Sequence, residues 1–98
     1  MNNYRMSKLL IVDDSAALLE VMANILERNG YVVKTLNKAP GIYDAIKEFQ
    51  PDMVILDIYL AGEDGREICK KLKRNTETKD MCVGFFCISQ NPPGLQSL

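Results

Sequence analysis

Three aspartates in this sequence follow apolar runs and could share one site. Asp13 and Asp14 come directly after the run LLIV, and Asp57 follows the run MVIL. If the two runs are neighbouring parallel strands, the three carboxylates meet at the carboxyl edge of the sheet, where ligands bind in sheets of this kind. Each pair of like charges there costs about 4 kcal/mol at an effective dielectric of about 20. A divalent cation would remove this repulsion.

The residue types favour a hard cation. The chain has no histidine, and its three cysteines, Cys69, Cys82 and Cys87, lack CxxC spacing, so the usual zinc sites are excluded. The three thiols are expected to be reduced and mostly in the core. Oxygen ligands alone favour Mg²⁺, with Mn²⁺ as a substitute. One carboxylate of such a site could act as a nucleophile and form an aspartyl phosphate. Asp57 is the candidate, because the adjacent Asp13 and Asp14 are better placed to hold a metal. Taken alone, the DDS stretch also fits helix capping by Asp14 or Ser15.

The elements that must position these carboxylates alternate between strand and helix. Apolar runs at residues 9–14, 31–36, 53–58 and 83–89 predict four strands. Helical spacing of apolar residues predicts three helices between the strands. The first ends at Gly30 and has Leu18, Leu19, Met22, Ile25 and Leu26 on its apolar face. The second ends before Pro51 and has Ile42, Ile46 and Phe49, and the third has Ile68 and Leu72 beneath a solvated lysine face. This order predicts an α/β fold, a doubly wound parallel sheet with helices on both faces.

Length and charge exclude several function classes. The chain has 98 residues, a net charge of −1 and a pI near 5.3. These values predict one small domain without the basic stripe that direct nucleic-acid binding needs. No apolar run approaches the ~20 residues of a membrane span, so we expect no membrane association and a cytoplasmic location.

The chain resembles the receiver domain of two-component response regulators. The residues that carry the resemblance are LLIVDDS (9–15), PDMVILDI (51–58) and the pair Asp64–Gly65. The resemblance implies a flavodoxin-like sheet, incomplete here, with four strands and three helices and without the last helix, strand and helix. It places a truncated receiver at residues 1–89. Residues 90–98 contain Pro92, Pro93 and Gly94 and have no periodicity, which predicts an irregular or disordered tail.

The resemblance also assigns roles to individual residues. Asp57 matches the phosphoacceptor and is also an expected ligand of Mg²⁺. Asp13 and Asp14 match the acidic pair that helps to hold the ion, and the backbone carbonyl of Tyr59 matches the main-chain metal ligand. Gly65 matches a glycine in the turn into the third helix, and the tolerance of glycine for positive φ suggests its role.

Two family features are altered or missing. In the family, a Ser or Thr at the end of the fourth strand senses the phosphoryl group. An ungapped count from Asp57 places Cys87 at that position. Ser89 lies two residues later, on the same face of the strand. The lysine of the family's fifth strand has no counterpart in the sequence. A reading frame shifted near Met81 and a deliberately short protein are the two explanations.

The sequence leaves three functions open. The first is a signalling module that accepts a phosphoryl group on Asp57 from a sensor histidine kinase or a histidine phosphotransfer protein. The alternative is a degenerate or truncated receiver that binds partners without phosphorylation. A phosphatase with an aspartate nucleophile is disfavoured, because Tyr59 stands where a second acid is expected. We also expect dimers or larger assemblies through an exposed sheet edge and the uncovered faces of the first and third strands.

Overall fold

The structure is a computed structural model that describes residues 7–60 and 63–86. In chain order its elements are β1 (Lys8–Val12), α1 (Ala16–Arg28), β2 (Val32–Leu36), α2 (Ile42–Phe49), β3 (Met53–Asp57), β4 (Tyr59–Leu60), β5 (Glu63–Asp64), α3 (Gly65–Arg74) and β6 (Cys82–Phe86). Cys87, Ser89 and the predicted tail at 90–98 lie outside the described residues.

The four longer strands form one parallel sheet in the order β2-β1-β3-β6. This is the flavodoxin-like arrangement, in which the first and third strands of the chain are neighbours. The predicted fold class is therefore confirmed for the described residues, with four strands in the parallel sheet and three helices.

The loop between β1 and α1 is shaped by two side chains that bond to nearby backbone. Asp13 accepts a hydrogen bond from the backbone N–H of Ser15 at 3.1 Å, a local turn that ends the strand at Val12 rather than at residue 14 as predicted. Ser15 then caps α1, its Oγ accepting from the N–H of Leu18 at 3.2 Å. Gly30 ends the helix with a φ of 94°, as its predicted place after the C-cap requires.

The main core lies between the sheet and the helices α2 and α3. Leu10 and Val12 of β1 and Val54 and Leu56 of β3 are each fully buried on this face. The helices contribute Ile42, Ala45, Ile46, Ile68 and Leu72. The predicted apolar positions of α2 and α3 thus point inward, and the lysines of α3 are exposed as expected.

The opposite face of the sheet is covered unevenly. Leu9 and Ile11 of β1 are buried on this face, so the prediction of an uncovered first strand was wrong. Met53 and Ile55 of β3 are half-buried, because α1 packs mainly against β2, two strands away in the sheet. Ile25, predicted to face the core, is 55% exposed.

The strand β6 forms an edge of the described sheet. Cys82 at its start is exposed, which contradicts its prediction as a core thiol, because nothing described lies on its outer side. Gly84 leaves room for a neighbour: a Cβ there would lie 2.6 Å from the terminal methyl of Met53. The absence of a side chain at Gly84 therefore allows Met53 to lie across β6.

A short hairpin follows Asp57 where the sequence predicted only a loop. Tyr59 of β4 lies opposite Asp64 of β5, and Leu60 opposite Glu63. Leu60 is buried in the main core, which fixes the hairpin against the sheet. In the described part of the chain, no helix is long and apolar enough to cross a membrane.

Candidate functional site

Asp13, Asp14 and Asp57 meet at the carboxyl edge of the sheet. A carboxylate oxygen from each lies within 4.8 Å of one from the other two. Val12 and Leu56 are register partners on adjacent strands, so the residues that follow them emerge side by side. Asp13 and Asp57 are almost fully buried, at 0% and 2% exposure, and Asp14 lies nearer to solvent.

Asp13 and Asp57 are held in the same way, each through one carboxylate oxygen. Oδ1 of Asp13 accepts from the N–H of Ser15, and Oδ1 of Asp57 accepts from the N–H of Tyr59, both at 3.1 Å. The second oxygen, Oδ2, of each is buried and has no hydrogen-bond partner among the described residues. Both side chains are therefore fixed in orientation while one oxygen remains available.

The electrostatics of the cluster disfavour its fully ionised state. Burial raises the pKa of Asp13 from 3.8 to about 6, the hydrogen bond from Ser15 opposes this rise, and Asp14 and Asp57 add to it. The protein thus holds carboxylates close together against their mutual repulsion, a feature more common at functional sites than elsewhere.

The donors fit a hard divalent cation. All three side chains offer oxygen, the ligand type of Mg²⁺ and Mn²⁺. A buried oxygen without a partner costs about 1–3 kcal/mol, and more when charged, so the two unpaired Oδ2 atoms need a counterpart. A bound cation would supply it and would offset the repulsion among the three carboxylates.

Gly65 packs against the backbone of Asp57 from the start of α3. A Cβ at Gly65 would lie 2.3 Å from the carbonyl oxygen of Asp57, closer than any side chain tolerates. The N–H of Gly65 also donates to the carbonyl of Ile58 at 2.8 Å. Glycine is therefore required for close approach. The positive φ suggested from the sequence is wrong, because the positive-φ glycines among the described residues are Gly30 and Gly41 and do not include Gly65.

The other predicted site residues are only partly located. Tyr59 lies two residues past Asp57, and its backbone N–H holds the carboxylate of Asp57. Metal binding by the Tyr59 carbonyl stays a prediction. Phe86 of β6 lies opposite Asp57 in the register, and the N–H of Ile58 donates to its carbonyl at 3.1 Å. Cys87 and Ser89 follow Phe86 but lie outside the described residues.

A cavity beside the acidic cluster was not predicted from the sequence. It has a volume of about 320 Å³, and its lining includes Asp14, Asn37, Lys38, Leu60 and Glu63. Lys38 comes from the loop between β2 and α2. An isolated lysine in a loop carries no pattern that would have indicated its position.

Comparisons with known proteins agree with this geometry. The family model of the response regulator receiver domain matches residues 9–93. The DNA-binding response regulator MtrA of Mycobacterium tuberculosis is 30% identical over 89 residues, which cover 80% of this chain and 39% of that protein. MtrA of Mycobacterium leprae is also 30% identical, with 40% of its length covered. The chain thus spans about 40% of the curated relatives that it matches.

Solved structures show the same fold. The N-terminal domain of a response regulator receiver protein from Methanoculleus marisnigri superposes with a TM-score of 0.80 at 30% identity, covering 92% of this chain and 73% of that one. The chemotaxis response regulator CheY4 of Vibrio cholerae gives a TM-score of 0.76 at 20% identity, with 95% of each chain covered, and supports the fold alone. With a family model matched over most of its length and carboxylates at the ends of adjacent strands, the chain belongs to the response regulator receiver domain family.

Proposed function

We propose that this chain is a signalling module that accepts a phosphoryl group on Asp57 with the help of Mg²⁺. The observation that carries the proposal is the cluster of Asp13, Asp14 and Asp57, within 4.8 Å of one another and with two buried oxygens unpaired. Membership of the receiver family supports a histidine kinase or a histidine phosphotransfer protein as the donor.

Asp57 is the nucleophile in this proposal. The N–H of Tyr59 holds Oδ1, which leaves Oδ2 to attack phosphorus. The bond between phosphorus and the imidazole nitrogen of the donor's phosphohistidine breaks, and its electron pair remains on that nitrogen. Asp13 and Asp14 would hold Mg²⁺, with Asp57 itself and the Tyr59 carbonyl as further ligands. The ion would neutralise charge on the phosphoryl oxygens during transfer.

Intact mass spectrometry tests the proposal. The protein is incubated with Mg²⁺ and either acetyl phosphate or phosphoramidate, and a gain of about 80 Da, one phosphoryl group, is expected. Asp57→Asn removes the nucleophile with little change in shape and should abolish the gain. Asp80→Asn, an exposed change of equal charge, should leave it intact. An unchanged mass of the wild type in this assay would refute the proposal.

Binding of partners without phosphorylation is the second candidate function, and exposed apolar side chains favour it. Val21 and Ile25, one turn apart on α1, are 52% and 55% exposed, and Phe85 on the edge strand is 43% exposed. Exposed apolar residues beside an open strand edge favour pairing with another chain. For this chain we propose a second copy as the partner.

Sedimentation at tens of micromolar tests this self-association. The wild type is expected to form dimers or larger species, and the double change Val21→Lys and Ile25→Lys should shift the population to monomer. The control is Lys34→Glu, a charge change on an exposed position of β2. A wild type that sediments as a monomer would rule out a second copy of the chain as the partner.

A further inference from the structure

The loop after β2 leaves the sheet directly beside the acidic cluster. The N–H of Asp13 donates to the carbonyl of Leu36, the last residue of β2, at 3.1 Å. This bond fixes the end of β2 against the loop that carries Asp13 and Asp14. Lys38 follows two residues after Leu36 and lines the same cavity of about 320 Å³ as Asp14. A cationic side chain thus stands at the rim of a carboxylate site.

The side chain of Lys38 has no bonding partner among the described residues. Its ammonium makes no hydrogen bond or ion pair there, and its side chain is exposed. Several other cations are engaged elsewhere: Arg66 with Asp64, Lys70 with Glu67, Lys73 with the carbonyl oxygen of Met81, and Lys8 with the carbonyl of Phe49. Lys38 is therefore free to meet a group that enters the cavity.

The cavity needs a cation if an anion is to enter it. Asp14 and Glu63 also line it, and both repel a phosphoryl donor. A metal held by the cluster would offset the charge of Asp14 but would leave Glu63. Lys38 supplies the opposite charge in the cavity lining that it shares with Asp14, where it raises the local concentration of anions.

We propose that Lys38 is a positioning residue that draws an anionic phosphoryl donor into the cavity beside Asp14 and orients it towards Asp57. The inference rests on the proposed function, since it names how the donor reaches that site. Lys38 takes no part in bond breaking. Its contribution is electrostatic, so it acts on donor capture and depends on ionic strength.

The test compares Lys38→Gln with a matched control. Lys47→Gln removes the same charge from the exposed surface of α2, where Lys47 lines a separate cavity beside Pro51 and Met81. The rate constant for phosphorylation by acetyl phosphate is measured with saturating Mg²⁺ at low and high ionic strength. At low salt Lys38→Gln should lower it about threefold to tenfold, Lys38→Arg should restore it, and Lys47→Gln should leave it unchanged. At about 1 M salt the variants should converge.

Mg²⁺ affinity gives a readout that does not depend on phosphorylation. Removing a positive charge from the rim should tighten Mg²⁺ binding about twofold to fivefold at low salt in Lys38→Gln, with no change in Lys47→Gln. If the wild type is phosphorylated but Lys38→Gln behaves like Lys47→Gln in both measurements, the role of Lys38 is refuted and the proposed function stands. If the wild type takes up no phosphoryl group, both are overturned.

Discussion

Replacing Asp13 by asparagine should stabilise the metal-free protein at neutral pH. Asparagine keeps the oxygen that accepts from the N–H of Ser15 but removes one charge from the cluster. The rise of the Asp13 pKa from 3.8 to about 6, at about 1.36 kcal/mol for each unit, corresponds to at most about 3 kcal/mol. Asp13→Asn should recover about 1–3 kcal/mol of unfolding free energy at pH 8.

The pH dependence has a defined sign. Because the pKa of Asp13 is higher in the folded state, the folded protein binds more protons between pH 3.8 and about 6. The stability that protonated Asp13 contributes is complete below pH 3.8 and is lost as the pH rises through about 6. The advantage of Asp13→Asn over the wild type should therefore grow across this window and level off above it.

Denaturant titrations at several pH values, with and without Mg²⁺, measure both effects. Mg²⁺ should stabilise the wild type, because a ligand of the native state shifts unfolding by mass action, and Asp13→Asn should lose most of that gain. Asp80→Asn should follow the wild type throughout. An Asp13→Asn protein that is less stable than the wild type at pH 8 without Mg²⁺ would refute the charge argument.

Substitutions at three further positions test local packing and helix capping. Gly65→Ala should destabilise the protein by about 2–4 kcal/mol in denaturant titrations and weaken Mg²⁺ binding, because its Cβ meets the fixed carbonyl of Asp57; a change below 0.5 kcal/mol would contradict this. Gly84→Ala should cost less than 1 kcal/mol, because the Cβ meets only the flexible end of Met53; a larger loss would show that Met53 cannot move. Ser15→Ala should lower stability by about 1 kcal/mol through loss of the α1 cap, while Ser15→Asp, which keeps a capping oxygen, should restore it.

The sequence predicted the sheet and its acidic edge because both depend on strong local patterns. Continuous apolar runs mark the strands, and acidic residues directly after two of them mark the edge where those strands end. The strand order needed the family resemblance as well, since apolar runs do not state which strands are neighbours.

Other features depend on tertiary contacts that no local pattern encodes. Glycine at 65 was noted from the sequence, but its reason, the approach of Asp57, appears only when α3 packs against β3. The exposure of Cys82 follows from an edge position, and the place of Lys38 beside Asp14 follows from the pairing of β1 with β2. Each case needed the spatial order of strands far apart in the chain.

The close approach of Gly65 to Asp57 couples the position of α3 to the position of the end of β3. With no side chain between them to absorb movement, a shift of the β3 end displaces the first turn of the helix directly. The ten residues of α3 span about 15 Å, so a tilt of about 5° at Gly65 moves the far end by about 1.3 Å. That far end carries Lys71, Lys73 and Arg74 on an exposed surface, so such a tilt would displace three positive charges on the surface of the protein.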